Sequence, residues 1–428
     1  MLDFFSSNKS FKSIIEKFFL KVPELNQRDK NFIVNISKGI LRHKTILDFN
    51  ISKYSKSKKI DKRTLTLLYM GIYQLLYCDR IPNYAAVNST VELSKKKSKR
   101  STTFINAILR KVDKTAFKLE KKCKDEEYIK FNFLHPKWLV DKLINYYGNS
   151  IAMTILKSNL DIPKIWLRVN LLRTTIKEIK GILNKEDISF IQDYYLKIYL
   201  RINKFDDNGI ILKLIRNGYL YIQNPSSGHV VKLLNSKNGD FILDACAAPG
   251  GKASLLGQIM KNKINLTCMD IDRTRMDRLK ENLLISNILN VDYLHDDALT
   301  YDSKNHYNAI IMDMPCSSSG TIRKNPDIKW RLNKNMIMGF QETQYNILEN
   351  MKNKLKIGGE LIYCTCSIFN DENEYNIIKF LNRNSNFSVS DIRGLAPLKF
   401  INKIGGITIL PNDKSYEGIF AIKLIKNA

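Results

Sequence analysis

The chain has 428 residues, 44% of them hydrophobic, enough for two or three domains with cores of their own. Its formal net charge of +27 is the footprint of a nucleic-acid binder, although a chain this rich in Lys, Asn and Ile also fits AT-biased codon usage. Seven cysteines, an odd count with no CxxC pair, argue against a disulfide framework and against a zinc ribbon. The opening MLDFFSSNKSFKSIIEKFFL is interrupted by Lys9, Lys12, Glu16 and Lys17. It reads as neither a leader nor a membrane span, so a soluble, cytoplasmic protein is expected.

The first 135 residues hold only two glycines, Gly39 and Gly71, and two prolines, Pro23 and Pro82. Such breaker-free sequence favours helices. In RTLTLLYMGIYQLLYCD the residues Leu65, Leu68, Ile72, Leu75 and Leu76 recur at helical spacing, so 1–135 is expected to be an all-α domain. Basic runs decorate it, at Lys56, Lys58 and Lys59 and at Lys95, Lys96, Lys97, Lys99 and Arg100. Each reads equally as a phosphate-binding face or as a solvated helix face.

Residues 136–216 are expected to be a linker and a small α+β domain. Pro136 precedes a short helix in HPKWLVDKLINYYG, Ile165 to Val169 reads as a strand, and 174–184 as a helix.

From 217 to 428 short apolar runs alternate with helical patterns: FILDA, INLTCMD, YNAIIMD, GELIYC. That rhythm implies a parallel sheet with helices on both faces, which binds ligands at the strands' carboxyl ends. FILD runs into ACAAPGGKAS, a tight turn before a helix N-terminus, without the GxGxxG or GKS/GKT patterns of phosphate loops. Asp244 and Asp270 end successive strands, and Asp297 ends a third strand region. Any one of them reads as a helix cap. Three in consecutive βα units suggest a nucleoside-type cofactor, with Asp270 towards ribose hydroxyls and Asp297 towards an adenine amino group.

LDACAAPGGK, MDMPCSSSGTIRKNPDIKW and YCTCSI resemble motifs I, IV and VI of the S-adenosylmethionine-dependent RNA cytosine-5 methyltransferases. YIQNPSSG and GIFAIKLIK are similar to flanking segments of that family. GIYQLLYCDRIPNYAAVNSTVEL with FINAILRK resembles the NusB-like RNA-binding domain. The combination is similar to the RsmB (Sun/Fmu) type of bacterial 16S rRNA methyltransferase. The resemblance implies a NusB-like domain, a connecting α+β domain and a Rossmann-like catalytic domain, in a monomer that needs no metal. It implies S-adenosylmethionine as cofactor, held at Cys246, Ala247, Ala248, Pro249, Gly250, Gly251, Lys252, Asp270, Asp297 and Asp313. It implies 16S rRNA as partner, with methylation at C5 of cytosine 967.

C5 of cytosine is too weak a nucleophile to take a methyl group unaided. A thiolate adding to C6 makes C5 enamine-like and later leaves, and cysteine serves for both steps. The resemblance makes Cys366 that nucleophile. Cys316 then assists resolution of the adduct, Asp313 faces N3 of the base, and Lys252 helps position the site. Cys78, Cys123, Cys268 and Cys364 read as buried packing residues, and Cys246 as a loop contact. A DNA cytosine-5 methyltransferase would lack the second cysteine of YCTCSI. A tRNA enzyme of the same chemistry and a non-catalytic RNA-binding assembly factor are the other readings.

Overall fold

The structure, a computed structural model, describes residues 1–7, 9–55, 59–95, 99–112, 135–203, 209–303, 306–411 and 415–428. Lys56, Lys58, Lys96, Lys97 and Cys123 lie outside the described residues. The chain forms two compact units, 1–161 with 322–332, and 162–321 with 333–428. The three segments read from the sequence cut the chain differently from these units. In particular, part of the MDMPCSSSGTIRKNPDIKW stretch belongs with the N-terminal helices. Among the described residues no helix is long and apolar enough to cross a membrane.

The first unit is helical. Asn26 and Asp61 cap the helices Gln27–Tyr54 and Lys62–Tyr77 by accepting from first-turn backbone N–H groups. Leu68, Ile72 and Leu75 of the second helix are buried with Ile40, Leu47 and Ile51 of the first, while Leu65 and Leu76 pack at the margin. A Cβ at Gly39 would lie 2.0 Å from the Tyr73 ring, so the close approach of these helices requires glycine there. The helix after Pro136 runs over Lys137–Ser158, longer than expected, and kinks at Gly148 (φ +72°). Residues 322–332 return to this unit: Asp327 accepts from Phe11 N (3.2 Å), and Trp330 Nε1 donates to Leu41 O (2.6 Å). Lys59, Lys95, Lys99 and Arg100 are exposed.

The second unit holds two sheets. The smaller is antiparallel, ordered β2-β3-β1-β4, from β1 (Ile165–Val169), β2 (Phe190–Gln192), β3 (Tyr199–Ile202) and β4 (Leu220–Ile222). Thr175 and Glu178 form a reciprocal capping box that starts the helix Ile176–Lys185.

The larger sheet, eight-stranded among the described residues, contains β5 (Phe241–Asp244), β6 (Asn265–Asp270), β7 (Val291–His295), β8 (Tyr307–Asp313), β9 (Leu355–Thr365), β10 (Phe387–Val389), β11 (Ile407–Ile409) and β12 (Ile419–Lys426). The run β7-β6-β5-β8-β9 is parallel, as expected. Beyond it the sheet turns antiparallel, because β12 pairs with β9, β10 and β11 in the opposite sense. The expectation of a simple parallel sheet is corrected there.

Side chains alternate between two cores. Ile242, Ile311 and Ile362 point to the side covered by Leu255, Leu279 and Leu283, whereas Leu243, Ile310 and Leu361 point to the side of Tyr345, Leu348 and Phe380. With both faces apolar, these strands read as continuous hydrophobic runs. Strand order reverses between β5 and β8, which opens a crevice at their carboxyl ends.

Candidate active site

That crevice is a cavity of about 480 Å3, and acidic strand ends line it. Asp270 ends β6, Asp313 ends β8, and Asp297 lies two residues past β7 rather than on it. Asp270 is 3% exposed; it accepts from Ala248 N (3.1 Å) and Asp272 N (3.1 Å), and Arg275 lies 3.4 Å away. Ala298, Leu299, Phe340 and Ile347 supply apolar wall. Phe340, Thr343 and Ile347 come from the helix Lys334–Met351, and no motif marks them in the sequence.

Of the loop after β5, Cys246 lines the cavity. Ala247, Ala248, Pro249, Gly250, Gly251 and Lys252 are not among the lining residues. Ala247 and Ala248 are buried in the core. Gly250 has φ +96°, and a Cβ there would lie 2.7 Å from Leu279. This glycine therefore lets the loop close onto a neighbouring helix.

Lys252 reaches the site from behind. It is 8% exposed, and its Nζ lies 2.5 Å from Asp313 Oδ2. Burial works against the ammonium, but Asp313, Cys364 and Asp244 together hold the Lys252 pKa above the usual lysine value. Asp244 does not line the cavity. It is 1% exposed, and neither oxygen meets a donor in good geometry beyond a weak contact from Cys246 N. Burial pushes its pKa up to about 7, against the pull of Lys252 and with the push of Asp313 and Asp270.

A buried arginine braces the same helix start. Arg168 on β1 donates to Gly251 O (2.9 Å), Ser254 Oγ (2.8 Å) and Gln223 Oε1 (2.7 Å). Gln223 also donates to Gly251 O (2.8 Å) and accepts from the Tyr199 hydroxyl (2.7 Å). The small sheet thus fixes the first turn carrying Lys252.

Cys316 and Cys366 come from different loops, yet their sulfurs are 3.2 Å apart and both line the cavity. Ser318 Oγ is 3.2 Å from Cys366 Sγ. The Cys316 thiol, hydrogen-bonding to Cys366, holds the Cys366 pKa below the usual thiol value; burial and Asp313 oppose this, while Ser318 and Lys252 add to it. The same bond, with burial and the charges of Cys366 and Glu372, holds Cys316 well above it. The two opposite directions describe one proton shared between the sulfurs, either of which can donate in the bond between them.

The other thiols are different. Burial pushes Cys246, Cys268 and Cys364 up. Cys268 and Cys364 are fully buried, as expected, whereas Cys78 is half-buried. Cys364 Sγ lies 3.4 Å from Met312 O and 3.7 Å from Asp313 Oδ1.

The chain matches family models in three pieces. These are the NusB family over residues 5–114, the Methyltr_RsmF/B-like ferredoxin-like domain over 135–207, and 16S rRNA methyltransferase RsmB/F over 231–425. It is 27% identical over 433 residues to the probable ribosomal RNA small subunit methyltransferase B of Bacillus subtilis, covering 98% of this chain and 95% of that protein. It is 31% identical over 412 residues to the ribosomal RNA small subunit methyltransferase B of Yersinia enterocolitica, covering 94% and 92%. The crystal structure of PH0851 matches with a TM-score of 0.79 at 25% identity, covering 96% of this chain and 93% of that one.

Proposed function

Because the chain belongs to the RsmB/F family of 16S rRNA methyltransferases, we propose that it methylates C5 of a cytosine in 16S rRNA, cytosine 967, through a covalent adduct of Cys366 with C6 of the base. Its cofactor is S-adenosylmethionine. The donor set fits that molecule: carboxylates for its hydroxyls and positive charges, and apolar wall for its base, around a volume ordinary for small-molecule sites. Asp270, Asp297, Asp313 and Cys246 hold it from the wall, with Ala247 to Lys252 shaping the loop behind. When bound, it supplies an electrophilic methyl group on a sulfonium.

The remaining work falls to the chain's own residues. The Cys366 thiolate adds to C6, which makes C5 enamine-like. Asp313, oriented by Lys252, faces N3 of the base as the thiolate adds. A base then removes the C5 proton, and Cys366 leaves. Cys316, in hydrogen-bond contact with Cys366, assists that resolution. The reading rests chiefly on one observation, the meeting of Cys316 and Cys366 at 3.2 Å beside Asp313 in one cavity. Residues 1–135 act as the RNA-binding module, 136–216 as the connector and 217–428 as the catalytic module.

The test is methyl transfer from S-adenosylmethionine to unmodified 16S rRNA, with bisulfite sequencing of the product. A new 5-methylcytosine at position 967 is expected. Transfer to tRNA instead, or to no RNA, would contradict the proposal.

A further inference from the structure

Glu372 is 0% exposed, yet it is a carboxylate, in the short turn Asn370–Glu372 that follows β9. Four donors converge on it. Ser317 N (2.8 Å) and Gln344 Nε2 (3.0 Å) donate to Oε2, and the hydroxyls of Ser367 (2.6 Å) and Ser317 donate to Oε1. Burial pushes the Glu372 pKa above the usual glutamate value, while the hydrogen bonds from Ser317, Ser367 and Gln344 pull it back, because an ionised carboxylate accepts all four. Ser317 follows Cys316 and Ser367 follows Cys366 in the chain. One side chain therefore holds the residue beside each thiol, Ser317 by backbone and hydroxyl and Ser367 by its hydroxyl. Gln344, which donates to Pro315 O (2.9 Å) as well, extends the grip to the residue before Cys316.

The charged groups around the pair are unevenly placed. Two of the four donors to Glu372, Ser317 N and Ser317 Oγ, come from the residue after Cys316, against one, the Ser367 hydroxyl, from the residue after Cys366, so the carboxylate is tied mainly to the Cys316 loop and helps to raise the Cys316 pKa. A fixed anion next to one of two thiols that share a proton leaves that proton where the anion is.

We propose that Glu372 is the positioning residue that keeps the two thiols unequal. It fixes their separation through Ser317 and Ser367, and its charge keeps Cys316 protonated so that Cys366 alone ionises. This rests on the reading of Cys366 as nucleophile. Glu372 lines no part of the cofactor cavity, so it acts on the thiols and not on cofactor binding.

The experiment is alkylation of the full chain with iodoacetamide near neutral pH, with the modified cysteine identified by peptide mass mapping. A thiolate displaces iodide, so the partition between Cys316 and Cys366 reports which sulfur is ionised. In the unmodified protein the label is expected on Cys366. In Glu372→Gln the share on Cys316 should rise about tenfold, the equivalent of about one pKa unit. The kcat should fall while the KM for S-adenosylmethionine stays unchanged. Glu372→Asp keeps the charge but shortens the reach, so its label should stay on Cys366 although kcat falls.

An unchanged partition in folded Glu372→Gln would overturn the proposal. If Glu372→Gln does not fold, a shift of label to Cys316 in Glu372→Asp would overturn it instead. Label on Cys316 in the unmodified protein would overturn the nucleophile assignment itself, a distinct failure.

Discussion

Lys252 Nζ meets Asp313 Oδ2 at 2.5 Å, joining the helix after β5 to the end of β8 across the point where strand order reverses. The pair aims Asp313 into the cavity while the ammonium stays buried. Lys252→Met leaves Asp313 without its orienting cation. The kcat for methyl transfer should fall by about 10–100-fold, a range expected for losing a positioned charge. Steady-state kinetics check it, and a kcat within about twofold of the parent would remove Lys252 from the mechanism.

Asp244 makes stability depend on pH. Its pKa is raised on folding, so the native state binds its proton more tightly than the unfolded state does. The associated stability is fully present below the unfolded value of 3.8 and is lost as pH rises towards about 7. The upper limit is about 4 kcal/mol. Asp244→Asn removes this dependence. In urea melts, the variant should gain stability over the parent between about pH 5 and pH 8. An equal difference at both would contradict the account.

Arg168 is expected to be irreplaceable by lysine. Its planar guanidinium serves three acceptors at once, which a single ammonium cannot match in the same space. Arg168→Lys and Arg168→Met should each lower unfolding free energy by about 2–4 kcal/mol, because Gln223 and Ser254 lose a buried partner. Equilibrium unfolding measures it. A loss below about 0.5 kcal/mol would mean that the first turn holds itself.

These residues show unevenly what a sequence carries. Asp244 and Asp270 were legible as strand ends because apolar runs stop on them. Asp313, Cys316 and Cys366 were legible because motifs carry them. Arg168 was not, since a charged residue inside β1 gives no sign of pointing into a buried acceptor cluster. Glu372 sits in NDENE, which reads as a solvated turn. The Lys252–Asp313 distance is fixed by the pairing of β5 with β8, and local pattern does not encode which strands pair. The antiparallel β12 escaped for the same reason: a run of eight residues buried over most of its length looks alike in either direction. The return of 322–332 to the helical unit depends on Asp327, Lys329 and Trp330 finding partners on distant helices.

Cys364→Ser separates a packing thiol from a reactive one. The site is fully buried, and the sulfur faces Met312 O and Asp313 Oδ1, so a hydroxyl can make the same contacts. Activity should remain within about twofold, with stability changed by less than about 1.5 kcal/mol. A dead but folded Cys364→Ser enzyme would mean that three thiols, not two, take part.

The covalent step is tested most directly by trapping. Cys316→Ala, incubated with S-adenosylmethionine and 16S rRNA and resolved under denaturing conditions, should accumulate a protein–RNA adduct. Peptide mapping should place the RNA on Cys366, and the Cys316→Ala/Cys366→Ala double variant should form none. An adduct that survives in the double variant, or one on Cys316 in Cys366→Ala, would contradict the assignment of Cys366 as the nucleophile.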